Sequence, residues 1–206
     1  LASMLSEDET ESKGGKSGKL GPERLNIKKG VVILGPTQVG KTTIYNFLKG
    51  ENKVGATGVD DYDQFKYEIG GNETITIRKG KDIGGKQSFI NKYYKIMITS
   101  SKTDYCFFVF NAYEYLNEVS HQRDVNARLA FIYRENKYNK KIKLIGSFID
   151  NFSQNEQPEV ASKIQELTNE KPYRSMFNDR NLSLLNLTDQ KQLAVYLKKE
   201  FIKTTS

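Results

Sequence analysis

Apolar residues fall along this chain in two rhythms that alternate from residue 31 onward. Val31–Leu34, Tyr105–Phe110, Ile142–Ile149 and Leu182–Leu187 are short runs rich in β-branched and aromatic side chains. Such runs predict strands covered on both faces. Between them, apolar residues recur three and four apart, the spacing of one helical face. Ile44, Phe47 and Leu48 predict a helix over about Lys41–Lys49, stopped by Gly50. Phe89, Tyr93, Ile96 and Met97 predict a second over about Ser88–Ser100. Leu116, Val119, Val125, Leu129 and Ile132 predict a long third over about Tyr113–Asn136. Pro158 opens a fourth that reaches about Glu170. The fifth, capped by Thr188, runs from Asp189 to about Lys203.

Two stretches follow a different pattern. Phe65, Tyr67 and Ile69 alternate with polar residues, as do Ile75 and Ile77, and Gly70-Gly71-Asn72 lies between them, which predicts a β-hairpin. Glu51–Asp63 is polar and predicts a loop. Residues 1–27 hold an acidic run and a Gly/Lys/Ser-rich run. Their few apolar side chains do not offset the entropy of ordering, so a disordered tail or linker is expected before a domain over 28–206. The element order is β α β β α β α β α β α, an α/β arrangement. Strands joined through helices should be parallel, and the hairpin should add one antiparallel edge. Sheets of this kind bind ligands beyond the carboxyl ends of their strands.

The candidate chemistry sits at that rim. Gly35-Pro36-Thr37-Gln38-Val39-Gly40-Lys41-Thr42-Thr43 contains G-x-x-x-x-G-K-[ST], placed between a strand and a helix as a phosphate-binding loop requires. Gly35 and Gly40 let the backbone turn so that amide N–H groups converge on phosphate oxygens, with Thr37, Gln38, Val39 and Thr43 in the same cradle. The helix N-terminus adds partial positive charge. Lys41 can reach the β- and γ-phosphates, and the Thr42 hydroxyl can ligate Mg²⁺. Gly14-Gly15-Lys16-Ser17 imitates half of this motif but has no strand before it and no helix after it.

Charge and rarer residues narrow the classes. The net charge of +7 is scattered, without the aromatic interleaving of a single-strand binder or a recognisable nucleic-acid module. No apolar run reaches membrane-span length, the N-terminus lacks signal-peptide shape, and Ala2 and a C-terminus without Cys carry no lipidation motif. The single cysteine, Cys106, lies in an apolar strand, which excludes an intrachain disulfide and fits a reducing, cytoplasmic setting. The single histidine, His121, forms no zinc-site pattern.

Over residues 28–206 the element order resembles the Ras-like small GTPase superfamily. That resemblance implies a three-layer P-loop NTPase fold with a six-stranded, mostly parallel sheet, one antiparallel edge strand and five helices. Asp82-Ile83-Gly84-Gly85-Lys86-Gln87 reads as a turn just past a strand end, and its Asp82-Ile83-Gly84-Gly85 is similar to the opening of switch II in the Arf and signal-recognition-particle-receptor β branch, with Tyr93-Tyr94 adding to the likeness. On this resemblance Asp82 would hold Mg²⁺ through a water, and the Gly85 amide would bond a γ-phosphate oxygen. Thr57, in Gly55-Ala56-Thr57-Gly58-Val59, would supply a switch I hydroxyl to the metal. The chain departs from the pattern twice. Lys86 stands where the family has its water-positioning Gln, which leaves Gln87, one residue late, and Lys41 as the catalytic candidates. The guanine motif becomes Ser147-Phe148-Ile149-Asp150: Asp150 can accept from guanine, Phe148 can stack on it, and Ser147 replaces the supporting Asn. The resemblance implies a GTP/GDP switch with slow hydrolysis, meeting effector or regulatory proteins through its switch loops. A nucleotide-binding but hydrolysis-deficient docking subunit is the alternative. A P-loop kinase or ATPase fits less well, because no Arg-rich lid is apparent and a hairpin follows the first helix.

Overall fold

The structure is a computed structural model that describes residues 26–50, 59–62, 64–70, 73–78, 80–83, 85–86, 88–136 and 141–202. Thr57, Gln87 and residues 1–25 lie outside the described residues. In chain order the elements begin with β1 (Asn26–Lys29), β2 (Val31–Leu34), α1 (Lys41–Lys49) and β3 (Val59–Tyr62). Then come β4 (Phe65–Gly70), β5 (Glu73–Ile77), β6 (Gly80–Ile83), a π-helical turn (Ile90–Tyr94) and α2 (Lys95–Thr99). β7 (Tyr105–Asn111), α3 (Ala112–Asn117), α4 (Val119–Glu135) and β8 (Lys141–Ser147) follow. A 3-10 turn (Ile149–Asn151), α5 (Gln157–Thr168), a second 3-10 turn (Arg174–Phe177), β9 (Leu182–Leu184) and α6 (Gln190–Ile202) complete the fold.

The parallel part is the row β2-β7-β8-β9. Its strands are buried on both sides, so alternate residues feed two cores. Val32, Leu34, Cys106, Phe108 and Leu144 pack with the π turn and with α2, α4 and α5. Val31, Ile33, Phe107, Val109 and Ile145 pack with Ile44, Tyr45 and Leu48 of α1 and with Leu193, Leu197 and Phe201 of α6. Three layers therefore form, as the residue pattern implies.

The remaining strands arrive in pieces. β1, β5 and β4 form one small sheet, and β3 pairs only with β6. The β4–β5 hairpin is as expected, but Val59–Tyr62, read as loop from sequence, is a strand, and Asp82 lies within a strand rather than a turn. The β3–β6 pairing continues the hairpin in register: Phe65 faces Ile77, and three residues back Tyr62 faces Gly80. Asn26–Lys29, placed partly in the tail from sequence, pairs in parallel with β5. β1 and β2 are separated by Gly30, whose N–H donates to Asp104 Oδ2 at 2.7 Å and whose carbonyl accepts from Asp104 and Tyr105 N–H. A Cβ there would stand 1.6 Å from the Lys102 carbonyl oxygen, so only glycine lets the chain pass from one sheet to the other.

Two helices differ from the periodicity. The stretch over 88–100 opens with the π turn, and its wider winding shifts the buried face to Ile90, Tyr94 and Ile98, leaving Ile96 62% exposed. The expected long third helix is two, broken at Glu118, whose backbone is extended. Val119 is consequently 62% exposed, while Val125, Leu129 and Ile132 keep the inward face. Asp189, not Thr188, caps α6: its Oδ1 accepts from Lys191 and Gln192 N–H. Thr188 Oγ1 instead bonds Asn186 Oδ1 at 2.7 Å. Among the described residues no helix is long and apolar enough to cross a membrane.

Candidate nucleotide-binding site

Residues Gly35–Gly40 leave the carboxyl end of β2 and enter α1 at Lys41. The bend is built from backbone that most residues avoid: Gly35 and Gly40 have positive φ, and Gln38 joins them with φ 60°. Thr37, Gln38 and Thr43 face solvent, Thr42 is half-buried, and Val39 is buried as the loop's anchor. Lys41 is only 5% exposed, and its Nζ donates to the Pro36 carbonyl, so the ammonium lies inside the loop.

Three other segments close on this loop. The Gly85 backbone lies so near that a Cβ there would come within 2.1 Å of Pro36 C and Thr37 N. Gly40 packs on Leu187, in the segment after β9. Ser147, at the end of β8, is 1% exposed and has its Oγ 2.9 Å from the Val39 carbonyl and 3.0 Å from that of Phe110. Its one hydroxyl proton thus ties the phosphate loop to β7 and β8. Phe148 follows with a left-handed backbone and half-buried ring, and Asp150 is exposed in the 3-10 turn. Lys86 is exposed, and its carbonyl accepts from Phe89 N–H. An open cavity of about 710 Å³ lies elsewhere, around Tyr105, Lys141 and Lys143 at the amino ends of β7 and β8.

Two residues outside the expected set hold these pieces together. The Tyr94 hydroxyl accepts from Gly35 N–H at 3.0 Å and lies 3.3 Å from the Gly35 carbonyl. Arg128, 1% exposed on α4, donates through Nη1 to Tyr94 Oη at 2.9 Å and through Nη2 to the Gly85 carbonyl at 2.7 Å. Burial pushes the Tyr94 hydroxyl above its ordinary pKa, and the neighbouring Arg128 charge partly offsets this. A signal for Arg128 existed in the sequence: it shares the apolar face of Val125, Leu129 and Ile132, where a buried guanidinium requires partners.

No protein-family model matches the chain, and no curated protein sequence matches it. Many solved structures do match its fold. One is translation elongation factor SelB from Methanococcus maripaludis, solved in complex with the GTP analogue GppNHp, with a TM-score of 0.54 at 16% identity. The likeness covers 88% of this chain and spans 35% of that one.

The two chains share a three-layer α/β fold with a loop of the P-loop sequence pattern at its rim.

Within this fold the observed rim assembles Gly35–Thr43, Gly85 and Ser147 around one loop, with Phe148 and Asp150 on the turn that follows Ser147. β6, which carries Asp82, runs against β2. The Thr42 hydroxyl at the head of α1 is an oxygen donor of the kind Mg²⁺ takes beside phosphate oxygens and water. Among the described residues no three His, Cys, Asp or Glu gather into a site that would hold a metal by protein alone.

Proposed function

We propose that this chain is a guanine-nucleotide-binding molecular switch with slow intrinsic GTP hydrolysis. The carrying observation is the phosphate loop, bent through Gly35, Gln38 and Gly40 into the head of α1, with the Gly85 peptide pressed against it. In this reading the loop amides and Lys41 bind the phosphates, and Thr42, Thr57 and Asp82 hold Mg²⁺, which neutralises phosphate charge. The Gly85 amide meets the terminal phosphate, so the segment around it responds to whether that phosphate is present. Asp150 accepts from the guanine ring, Phe148 covers one face of it, and Ser147 secures the turn. The Asp82-Ile83-Gly84-Gly85 sequence supports a place near the Arf and signal-recognition-particle-receptor β branch. Effector or regulatory proteins would read the loops around Thr57 and Gly85.

One observation favours a second reading. Lys86, not a Gln, follows Gly85 and is exposed, and an ammonium cannot both donate to and accept from an attacking water as an amide does. A protein that binds nucleotide without useful turnover, serving as a docking subunit, fits that residue.

The deciding experiment is calorimetric titration of wild type and Lys41→Ala with Mg²⁺-GTP and GDP. Wild type should bind both and Lys41→Ala should bind neither, because a charge-assisted phosphate contact is removed from a preorganised loop. Equal binding by the two proteins would overturn the proposal.

A further inference from the structure

The geometry points to Arg128 and Tyr94 as positioning residues that lock the Gly85 peptide to the phosphate loop and thereby set the preference between a nucleoside triphosphate and a diphosphate. This rests on the nucleotide-binding reading above. The contacts form one unbroken line, buried from Arg128 to Gly35. Asp124 Oδ1 accepts from Arg128 Nε at 2.9 Å and orients the guanidinium. Arg128 Nη2 grips the Gly85 carbonyl at 2.7 Å, and Nη1 reaches the Tyr94 hydroxyl at 2.9 Å. Tyr94 in turn accepts from Gly35 N–H, the first residue of the phosphate loop.

Each part has few alternatives. Arg128 and Tyr94 are both about 1% exposed, so no solvent replaces a lost partner without opening the core. The planar guanidinium fixes its donors in one fork, so moving the Gly85 carbonyl disturbs the Tyr94 bond as well. Tyr94 sits at the last position of the π turn, the irregularity that brings its ring to the loop instead of Tyr93. Gly35 at the other end already donates its N–H to Tyr94, so that amide serves the relay and not a phosphate. Gly85 packs on Pro36 and Thr37 of the loop, and in the reading above its amide meets the terminal phosphate, so its hold bears on that phosphate more than on the β-phosphate.

The test uses Tyr94→Phe, which removes one oxygen and keeps the ring, and Arg128→Lys, which keeps the charge and loses the fork. Hydrogen exchange is followed on nucleotide-free protein, and affinities for GDP and a non-hydrolysable GTP analogue are measured by calorimetry. A relay predicts cross effects: Tyr94→Phe speeds exchange in the Gly85-Lys86 segment it does not touch, and Arg128→Lys speeds it at Gly35. Each increase should be about tenfold, the scale of one lost hydrogen bond. The ratio of triphosphate to diphosphate affinity should fall by a similar factor in both variants, with amides in the body of α4 unchanged. Exchange that rises only at the residue each side chain contacts would overturn the relay, as would equal loss of both affinities. If wild type binds neither nucleotide, the functional reading fails by itself, and the exchange experiment still decides the relay.

Discussion

Alanine at Gly85 would test how tightly that peptide is pressed on the phosphate loop. The new Cβ would stand 2.1 Å from Pro36 C, 2.1 Å from Thr37 N and 2.3 Å from the Pro36 carbonyl oxygen. Side-chain carbons do not approach backbone so closely, and one side must give by roughly 1 Å in a close-packed interior. The loop is pinned at Gly35 by Tyr94 and at Val39 by Ser147, so the movement falls on Gly85. Its carbonyl then draws away from Arg128 Nη2, stretching a 2.7 Å bond toward the limit at which a hydrogen bond ceases to count. A bond to a charged donor contributes about 1.5–3 kcal/mol. At ~2–4 °C per kcal/mol for a chain of this length, the melting midpoint should fall by ~3–12 °C. Scanning calorimetry reads that shift directly. Repeating the scan with saturating GTP analogue should show a smaller ligand-induced rise than in wild type, because stabilisation follows the ratio of ligand concentration to dissociation constant. A midpoint within about 1 °C of wild type, together with an undiminished ligand-induced rise, would refute the packing argument.

Other outcomes follow from single contacts. Asp150→Asn should erode the preference for guanine over adenine nucleotides by about 1–3 kcal/mol, seen in competition against a fluorescent GDP analogue; equal displacement of that analogue from wild type by ATP and GTP would remove the guanine assignment. Wild-type single-turnover hydrolysis should take on the order of hours or longer, and Lys86→Gln should speed it; if Gln87→Ala alone changes the rate, Gln87 is the functional residue. Ser147→Ala should lower stability by about 1–3 kcal/mol in urea titration, since it strips a shared donor from the Val39 and Phe110 carbonyls. Burial pushes the Cys106 thiol from 9.0 up to about 12, so in native protein at pH 9 it should resist alkylation until denaturant is added. The same shift makes stability decline as pH climbs from 9.0 toward 12, because the unfolded thiol ionises first.

The bend from Gly35 into α1 was legible in sequence because its geometry is local. Gly35, Gly40, Lys41 and Thr42 act through backbone turns and a helix start that lie within a few residues of one another. The two-faced core was legible for a similar reason: Val31–Leu34 and Tyr105–Phe110 leave no polar face, and such strands must be covered twice. What tertiary structure decided is where separate segments meet. β3 carries polar residues that read as loop and β6 ends in residues that read as a turn, and they become strands because the β4–β5 register continues through them. The break at Glu118 and the π turn at Ile90–Tyr94 rotate faces that periodicity placed otherwise, since a helix's phase is set by all the packing along it. Arg128 shows the division most plainly. Its position on an apolar stripe is written in the sequence, but its partners lie 34 and 43 residues away. No local rule brings Gly85 and Tyr94 together. The packing of α4 against the π turn does, by leaving a buried guanidinium that those two oxygens and Asp124 help to satisfy.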